Sequence, residues 1–226
     1  MRSLPRRLAK RLLQSGGVIA RPRRLAGWSG AFQPVNHTRP DRYPDIFAFV
    51  RDQFADPAAP LNILSFGCST GEEAMTLRRY FPGAFVTGLD VAPDNILCCL
   101  RLRDDRLRFA RTNSTRGEPS AFYDAIFCMA VLEHVDLQKK PPAKCEPLIR
   151  FRDFEETVID FARCLKPGGL LVVWRSNFRL CDTAVSGLFD PLPARFADPL
   201  TPVPRYSRSN LLLADDDYPY TVFCRR

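Results

Sequence analysis

The chain has 226 residues, of which 46% are hydrophobic and 26% charged, a composition typical of a soluble globular protein. No apolar run approaches the roughly 18–20 residues of a membrane-spanning helix and no repeat of about 20–50 residues is visible, which excludes a transmembrane protein and argues against a solenoid. Residues 1–40 contain nine of the 33 basic side chains and none of the 25 acidic ones, which gives this segment a charge of +9. Since the net charge of the chain is +8, the remaining residues together carry −1. This distribution predicts a basic arm on a near-neutral body, rather than a domain with a nucleic-acid-binding face.

The N-terminal arm has the pattern of a short amphipathic helix. Over residues 3–15, four leucines share one helical face, basic side chains take the other side, and Gly16–Gly17 end the pattern. One interpretation is an anchor, through residues 1–20, for an anionic membrane surface or an acidic partner. The other is a solvated tail, or an arm packed on its own domain. An organellar transit peptide has a similar composition.

Strands and helices alternate from residue 61 onward. After an irregular stretch over 21–45, a short helix is predicted over 45–54. The predicted strands are 61–66, 84–90, 106–112, 123–130 and 170–176, and the predicted helices between them are 71–81, 93–103 and 153–166. The strands are almost continuously apolar, as in strands buried on both faces. This order predicts an α/β, Rossmann-like, doubly wound sheet with mostly parallel strands.

The alternation weakens after residue 177. Residues 181–189 are predicted to be a short helix, and five prolines mark 190–205 as a loop. Residues 210–226 have the pattern of a strand, an acidic turn and a strand, which would complete a seven-stranded sheet with a C-terminal antiparallel hairpin. Residues 136–153 are too long for an ordinary connection, and such loops often act as lids. We expect a basic extension with a capping helix over 1–55 and one globular domain over 56–226.

The eight cysteines show no disulfide framework and no metal site. None forms a C-x-x-C pair, and only two histidines are present. Several cysteines lie within apolar runs, where Cys behaves as a small buried hydrophobe. We expect reduced thiols, no metal and a cytoplasmic protein, which the basic arm could make peripheral to a membrane.

The sequence ILSFGCSTGEEA at 63–74 runs from a strand through a glycine turn into a helix. Gly67 and Gly71 let the backbone approach a ligand, and the amides of the first helical turn point toward it. The motif lacks the lysine of the ATPase phosphate loop and the G-x-G-x-x-G spacing of dinucleotide-binding proteins. Glu72 and Glu73 would repel a pyrophosphate, so these carboxylates favour a ligand with a cationic amino group.

Polar and small residues follow the next three strands. Asp90 ends the second strand, where an acid can accept hydrogen bonds from both ribose hydroxyls of an adenosine. Asn113 and Ser114 follow the third strand and can meet the adenine edge. Met129 and Ala130 end the fourth strand and offer a small apolar surface for the ring. Together they predict a pocket across the carboxyl ends of strands one, two and four.

Five motifs in order resemble those of the class I S-adenosylmethionine-dependent methyltransferases. FGCSTG stands at their glycine-rich first motif, VTGLD at the second, RTNS at the third, YDAIFCMAVLEHV at the fourth and LKPGGLLVV at the fifth. The resemblance covers about residues 61–176 and implies this fold, methyltransferase activity and S-adenosyl-L-methionine as the methyl donor. GCSTGEE and DAIFCMAVL are also similar to chemotaxis-receptor glutamate methyltransferases, whereas VLEHV and LKPGG are closer to small-molecule methyltransferases.

The resemblance implies a donor site built from these motifs. Ser65 stands where many of these enzymes have Asp, so we expect loop carbonyls or Glu72 to bind the amino group of the donor. Arg39 or Arg42, within NHTRPDRYP, would bind the methionine carboxylate, as an upstream arginine does in the chemotaxis-like enzymes. The predicted donor-binding residues are Phe66, Gly67, Cys68, Ser69, Thr70, Gly71, Glu72, Asp90, Val91, Asn113, Ser114, Met129, Ala130, Arg39 and Arg42.

Methyl transfer from a sulfonium is an in-line displacement, in which the enzyme aligns two reactants and removes a proton where the acceptor requires it. His134 follows the fourth strand at the mouth of the predicted site, and His37 precedes the first helix. A histidine with a pKa near about 6.5 is a suitable base at neutral pH. Glu133 is a further candidate at the same mouth. His134 could instead orient the acceptor or cap a helix, and His37 could belong to an ordinary loop.

The leading prediction is methylation of an oxygen or nitrogen of a small-molecule or a glycan- or lipid-linked acceptor. The Asn/Asp-Pro-Pro-aromatic motif of enzymes that methylate base amines is absent after the fourth strand, where CMAVLE stands. This counts against methylation of base amines in DNA or RNA, and a nucleic-acid partner is not expected, but it does not exclude methylation of RNA ribose or of other positions. The alternatives are protein carboxyl (glutamate) O-methylation, by analogy to the chemotaxis-like motif, and a scaffold that binds the donor without turnover.

Overall fold

The fold is known from a computed structural model that describes residues 32–197, 202–214 and 217–226. The predicted basic arm over residues 1–20 lies outside the described residues. No helix among the described residues is long and apolar enough to cross a membrane.

Seven strands form one mixed sheet in the order β3-β2-β1-β4-β5-β7-β6. The strands are β1 (Asn62–Phe66), β2 (Phe85–Asp90), β3 (Leu107–Arg111), β4 (Tyr123–Met129), β5 (Leu165–Trp174), β6 (Phe189–Pro191) and β7 (Val222–Arg225). β1 to β5 run parallel, and β7 pairs antiparallel with both β5 and β6. The doubly wound, mostly parallel sheet expected from the sequence is therefore confirmed.

The helices cover both faces of the sheet. They are α1 (Pro44–Arg51), α2 (Glu72–Tyr80), α3 (Pro93–Cys99), α4 (Asp136–Lys139) and α5 (Phe151–Cys164), with 3-10 turns at Leu180–Asp182 and Ser186–Leu188. Successive residues of a strand pack into the two core layers on opposite faces of the sheet. Leu64 joins the layer that contains α5, whereas Ile63 joins the layer that contains α1 and α2. This two-sided burial explains why the central strands are continuously apolar.

The antiparallel end of the sheet uses a different partner strand from the one the sequence suggested. β7 forms as expected, but it pairs with β6, and Leu211 and Leu212 make only isolated bridges to Lys144 and Tyr206. Phe189 of β6 is buried in the main core, whereas Leu211 is 45% exposed. Pairing β7 with β6 therefore buries an aromatic side chain that the hairpin over 210–226 would leave outside the sheet.

The long connection after β4 is attached to the body along much of its length. It begins with the short helix α4, and Cys145 N then donates a hydrogen bond to Asn210 O at 3.1 Å. Leu212 N donates to Ala143 O at 2.9 Å, and Phe151 N donates to Asn210 Oδ1 at 2.7 Å. These contacts hold it against residues 205–213 rather than over the sheet as a free lid.

Candidate functional site

A cleft lies across the carboxyl ends of β1, β2 and β4, where open α/β sheets bind ligands. It encloses about 720 Å³, open solvent at its mouth included. Phe66 and Gly67 after β1, Asp90 at the end of β2, and Met129 and Ala130 at the end of β4 line it. The segment over residues 32–37 supplies the remaining wall, so this N-terminal stretch belongs to the site.

The turn between β1 and α2 depends on two glycines. Gly67 has φ +77°, and a Cβ atom there would lie 2.4 Å from Cγ2 of Val131. Gly71 has φ +97°, and its Cβ would lie 2.6 Å from Cδ1 of Leu102. Both positions combine a left-handed backbone with a close approach, which only glycine meets without strain. The turn therefore cannot take larger residues without moving its neighbours.

Three backbone amides of this turn donate hydrogen bonds within the protein, whereas the sequence suggested amides that point toward a ligand. Gly67 N and Cys68 N both donate to Leu89 O, at 2.7 and 3.0 Å. Ser69 N donates to Asp90 Oδ2 at 2.9 Å. These three amides fasten the turn to β2 and are therefore already engaged within the protein.

Asp90 is a buried carboxylate with one open position. Its Oδ1 accepts hydrogen bonds from Ala92 N at 2.8 Å and from Asn95 Nδ2 at 3.0 Å. Its Oδ2 accepts only the bond from Ser69 N in the described structure. Since each carboxylate oxygen can accept about two hydrogen bonds, Oδ2 retains capacity for a ligand hydroxyl.

Asn36 connects the outer wall of the cleft to this carboxylate. Its Nδ2 donates to Asn95 Oδ1 at 2.8 Å, and its Oδ1 accepts a hydrogen bond from Ser69 Oγ. Gln33 lies in the same wall, and its Oε1 is buried without a hydrogen-bond partner among the described residues. A ligand N–H group would satisfy that oxygen. Sequence analysis missed Gln33 and Asn36, because Asn and Gln in irregular segments carry no distinctive pattern, and it also missed Asn95 in α3.

A second chamber adjoins the cleft and contains groups of both charges. Arg39, Arg42 and Glu73 line it, and so does Tyr43, whose hydroxyl is buried without a hydrogen-bond partner among the described residues. Gly67, Ser69 and Met129 line both spaces, so the two adjoin at the glycine turn. The chamber can therefore receive a group that carries both a carboxylate and an amine.

Glu73 is the acid that faces this chamber. Burial raises its pKa to about 8, although the hydrogen bond from Ser65 Oγ at 2.7 Å and the charge of Arg42 act in the opposite direction. Part of the side chain still reaches the chamber. The sequence favoured Glu72, which does not line either space and instead accepts a hydrogen bond from Thr70 Oγ1 at 2.6 Å. Helical periodicity does not separate the two acids, because Thr76 and Leu77, four residues further on, are both buried.

His37 stands where the cleft and the chamber meet. It lines both spaces and is exposed to solvent, and its carbonyl oxygen accepts a hydrogen bond from Arg42 Nη1 at 2.7 Å. Partial burial and the charges of Arg42 and Arg39 lower the pKa of its imidazole. The ring is therefore neutral at neutral pH and able to accept a proton.

His134 and Glu133 lie behind the cleft and line neither of its two spaces. His134 is buried, and its Nδ1 accepts a hydrogen bond from Asp136 N at 3.3 Å. Its backbone amide donates to Asn177 Oδ1 at 2.7 Å. Glu133 is paired with Arg175 Nε at 3.0 Å; burial raises the pKa of Glu133, with the arginine opposing.

The predicted donor-binding residues divide by position. Those that line the cleft or the chamber are Phe66, Gly67, Cys68, Ser69, Asp90, Val91, Asn113, Met129, Ala130, Arg39 and Arg42. Those that line neither are Thr70, Gly71, Glu72 and Ser114. Thr112 lines the cleft, whereas Ser114 does not. The Thr112 hydroxyl donates a hydrogen bond to Ser114 O and accepts one from Ser114 N, which closes a tight turn between the two residues.

The sequence of this region is similar to known enzymes. A family model described as "Methyltransferase domain" matches residues 64–171. The trans-aconitate 2-methyltransferase of Rhizobium meliloti (strain 1021) is 33% identical over 140 residues, which cover 60% of this chain and 44% of that protein. The ubiquinone biosynthesis O-methyltransferase of Shewanella sp. (strain ANA-3) is 24% identical over 200 residues, which cover 74% of this chain and 82% of that protein. This chain thus spans less than half the length of the first relative.

Among solved structures, the amino pentose methyltransferase CalS10 of Micromonospora echinaspora is similar, with a TM-score of 0.43 and 24% identity. The similarity covers 60% of this chain and 50% of that protein.

Proposed function

We propose that this chain is a class I, S-adenosylmethionine-dependent methyltransferase that methylates an oxygen or nitrogen of a small-molecule or a glycan- or lipid-linked acceptor. The match of residues 64–171 to a methyltransferase domain supports the proposal. The observation that carries the proposal is the adjoining cleft and chamber. Asp90 is a buried carboxylate in the cleft, and Arg39, Arg42 and Glu73 line the chamber. S-adenosylmethionine, when bound there, supplies a methyl group on a sulfonium sulfur.

The cleft has the groups that an adenosine requires. Asp90 Oδ2 can accept a hydrogen bond from one ribose hydroxyl while it keeps its existing bond to Ser69 N. Gln33 Oε1 is a buried acceptor without a partner and can take a hydrogen from an exocyclic amine. Met129 and Ala130 provide an apolar surface for the ring.

The chamber has the groups that an amino acid requires. Arg39 and Arg42 can bind a carboxylate, and Glu73 can face an ammonium group. A cation near Glu73 favours its ionised form, so ligand binding would lower its raised pKa. We therefore assign the amino-group contact to Glu73 rather than to Glu72.

His37 is placed to take a proton from the acceptor. Its imidazole lies at the junction of the two spaces, and its lowered pKa keeps it unprotonated at neutral pH. Arg42 fixes the backbone of this segment through its bond to His37 O. His134 is held against α4 and Asn177, and we propose that it positions the end of β4.

The test is to measure donor binding and turnover separately. Calorimetry with S-adenosylhomocysteine measures donor-site affinity, and incubation of full-length protein with methyl-labelled S-adenosylmethionine and fractions of a metabolite extract measures transfer. We expect binding, and label in a small-molecule or lipid fraction. Label only in the protein fraction, as a base-labile ester, would favour carboxyl methylation. Binding without label in any fraction would indicate a scaffold, and absence of binding would contradict the proposal.

A further inference from the structure

Two segments of the chain form a surface on which basic side chains and exposed leucines are interspersed. Residues 139–150, which follow α4, and residues 206–212 are joined by the backbone bonds between Cys145 and Asn210 and between Leu212 and Ala143. Lys144 and Leu211 face each other across this junction. The two segments are called the basic–leucine face below.

The charge of this face is strongly one-sided. Its two segments contain five basic side chains and a single acid, Glu146, so their net charge is +4. The basic residues are all exposed and are Lys139, Lys140, Lys144, Arg150 and Arg208. None of the five forms a salt bridge within the described residues. The body as a whole is near neutral, which makes this concentration of unpaired charge a local property.

Three leucines of the face are open to solvent. Leu148, Leu211 and Leu212 are 41%, 45% and 37% exposed. Helix α3 provides a comparison, because Leu97 and Leu100 there are 57% and 59% exposed. Residues 93–106 around that helix contain three arginines and three aspartates, so those leucines lie in neutral surroundings.

We propose that the basic–leucine face docks this protein on an anionic lipid surface. Long basic side chains can reach phosphate headgroups while neighbouring leucines enter the boundary of the acyl chains. A protein partner would favour a contiguous apolar centre with charges at its rim, whereas lysine and leucine positions are interspersed here. The inference does not depend on which acceptor is methylated, and it concerns a surface separate from residues 1–20.

The experiment compares matched variants of the full-length protein by sedimentation with vesicles. The vesicles contain phosphatidylglycerol mixed with phosphatidylcholine, and binding is measured at low and at high salt. Lys140→Gln/Lys144→Gln should weaken binding by about 25-fold, since each basic side chain near such a surface contributes about fivefold. Leu148→Ser should weaken it by about fivefold.

The controls remove the same kinds of side chain from the neutral surface of α3. Arg101→Gln/Arg103→Gln and Leu97→Ser should stay within about twofold of the wild type. Equal binding by the variants of the basic–leucine face and the control variants would overturn the proposal. This holds both if the protein binds the vesicles through its N-terminal arm and if it does not bind them at all. Variant-sensitive binding to soluble polyglutamate, without binding to the vesicles, would overturn it in favour of an acidic macromolecule.

Discussion

Asp90 both fastens the glycine turn and lines the cleft. Its carboxylate accepts bonds from Ser69 N, Ala92 N and Asn95 Nδ2, and Oδ2 keeps one position for a hydroxyl. Asp90→Ala should therefore lower affinity for S-adenosylhomocysteine by roughly ten- to more than hundredfold, the value of a charge-assisted hydrogen bond of about 1.5–3 kcal/mol. Calorimetry measures this loss.

Folding of the Asp90 variant is checked separately, because two backbone donors lose their acceptor. Asp90→Asn keeps one acceptor oxygen and should retain more stability than Asp90→Ala in thermal unfolding. Asp105→Ala removes an exposed acid and should leave the affinity unchanged. Unaltered affinity in a folded Asp90→Ala protein would show that ribose is bound elsewhere.

Glu73 makes the stability of the free protein dependent on pH. Its pKa rises from 4.5 to about 8 on folding, so the folded state favours the protonated form. Its contribution to stability is fully present below pH 4.5 and is lost as pH rises toward about 8. Glu73→Gln cannot ionise and should not lose stability over this range, so its advantage over the wild type should grow between about pH 5 and pH 9.

Chemical denaturation at several pH values measures this difference. Glu72→Gln removes the same charge one residue away, outside the chamber, and should follow the pH dependence of the wild type. Parallel curves for Glu73→Gln and the wild type would mean that Glu73 is not buried as the structure has it.

His37 and His134 offer a direct comparison between an open and an enclosed histidine. His37→Gln should lower turnover by about 10²–10⁴ with little effect on donor affinity, because Gln cannot take a proton. The lowered pKa of His37 should also place the acidic limb of the wild-type rate profile below about pH 6.5. His134→Gln should retain most of the turnover. The reverse outcome would assign the base to His134, and full activity of both variants would indicate an acceptor that is already ionised.

Local sequence patterns predicted the succession of strands and helices from β1 to β5, and the structure contains these elements in that order. Continuous apolar runs mark β1, β2 and β4, and Pro93 begins α3 where a helix start was expected. β5 begins at Leu165 rather than at residue 170, because a register shift between Tyr123 and Ala125 of β4 absorbs the Pro-Gly-Gly sequence. β6 has only three residues, and so short a strand has no periodicity that a sequence can reveal.

The identity of the edge strand can be tested by truncating one side chain. Phe189 is 4% exposed and packs in the main core, so Phe189→Ala should lower the free energy of unfolding by roughly 3–5 kcal/mol. Leu211→Ala, at a position 45% exposed, should change it by about 0.5 kcal/mol or less. Denaturant titration distinguishes the two. A larger loss at Leu211 would support the hairpin over 210–226 instead.

Across the whole protein, strand ends and the motif NHTRPDRYP predicted residues that line the site, whereas Gln33, which belongs to neither, and Asn36, the first residue of that motif, were missed. Asp90, Met129 and Ala130 line the cleft because parallel strands place their carboxyl ends at one edge. Gln33 and Asn36 precede the sheet in sequence by many residues, and their positions depend on how the chain crosses the cleft. No spacing rule connects them to Asp90, so only the tertiary structure brings them together.

The adjacency of Asn36 and His37 has a consequence for the order of events in turnover. Asn36 bridges Asn95 and Ser69 across the cleft, and its neighbour is the proposed base. We therefore expect exchange of the adenosyl compound to move the segment that carries both residues. Donor would enter first, and its demethylated product would leave last. Steady-state kinetics should then show a dead-end analogue of the acceptor as uncompetitive with donor, and noncompetitive inhibition by that analogue would refute this order. Flux through such an enzyme would depend on the ratio of methylated to demethylated donor around it as well as on the supply of acceptor.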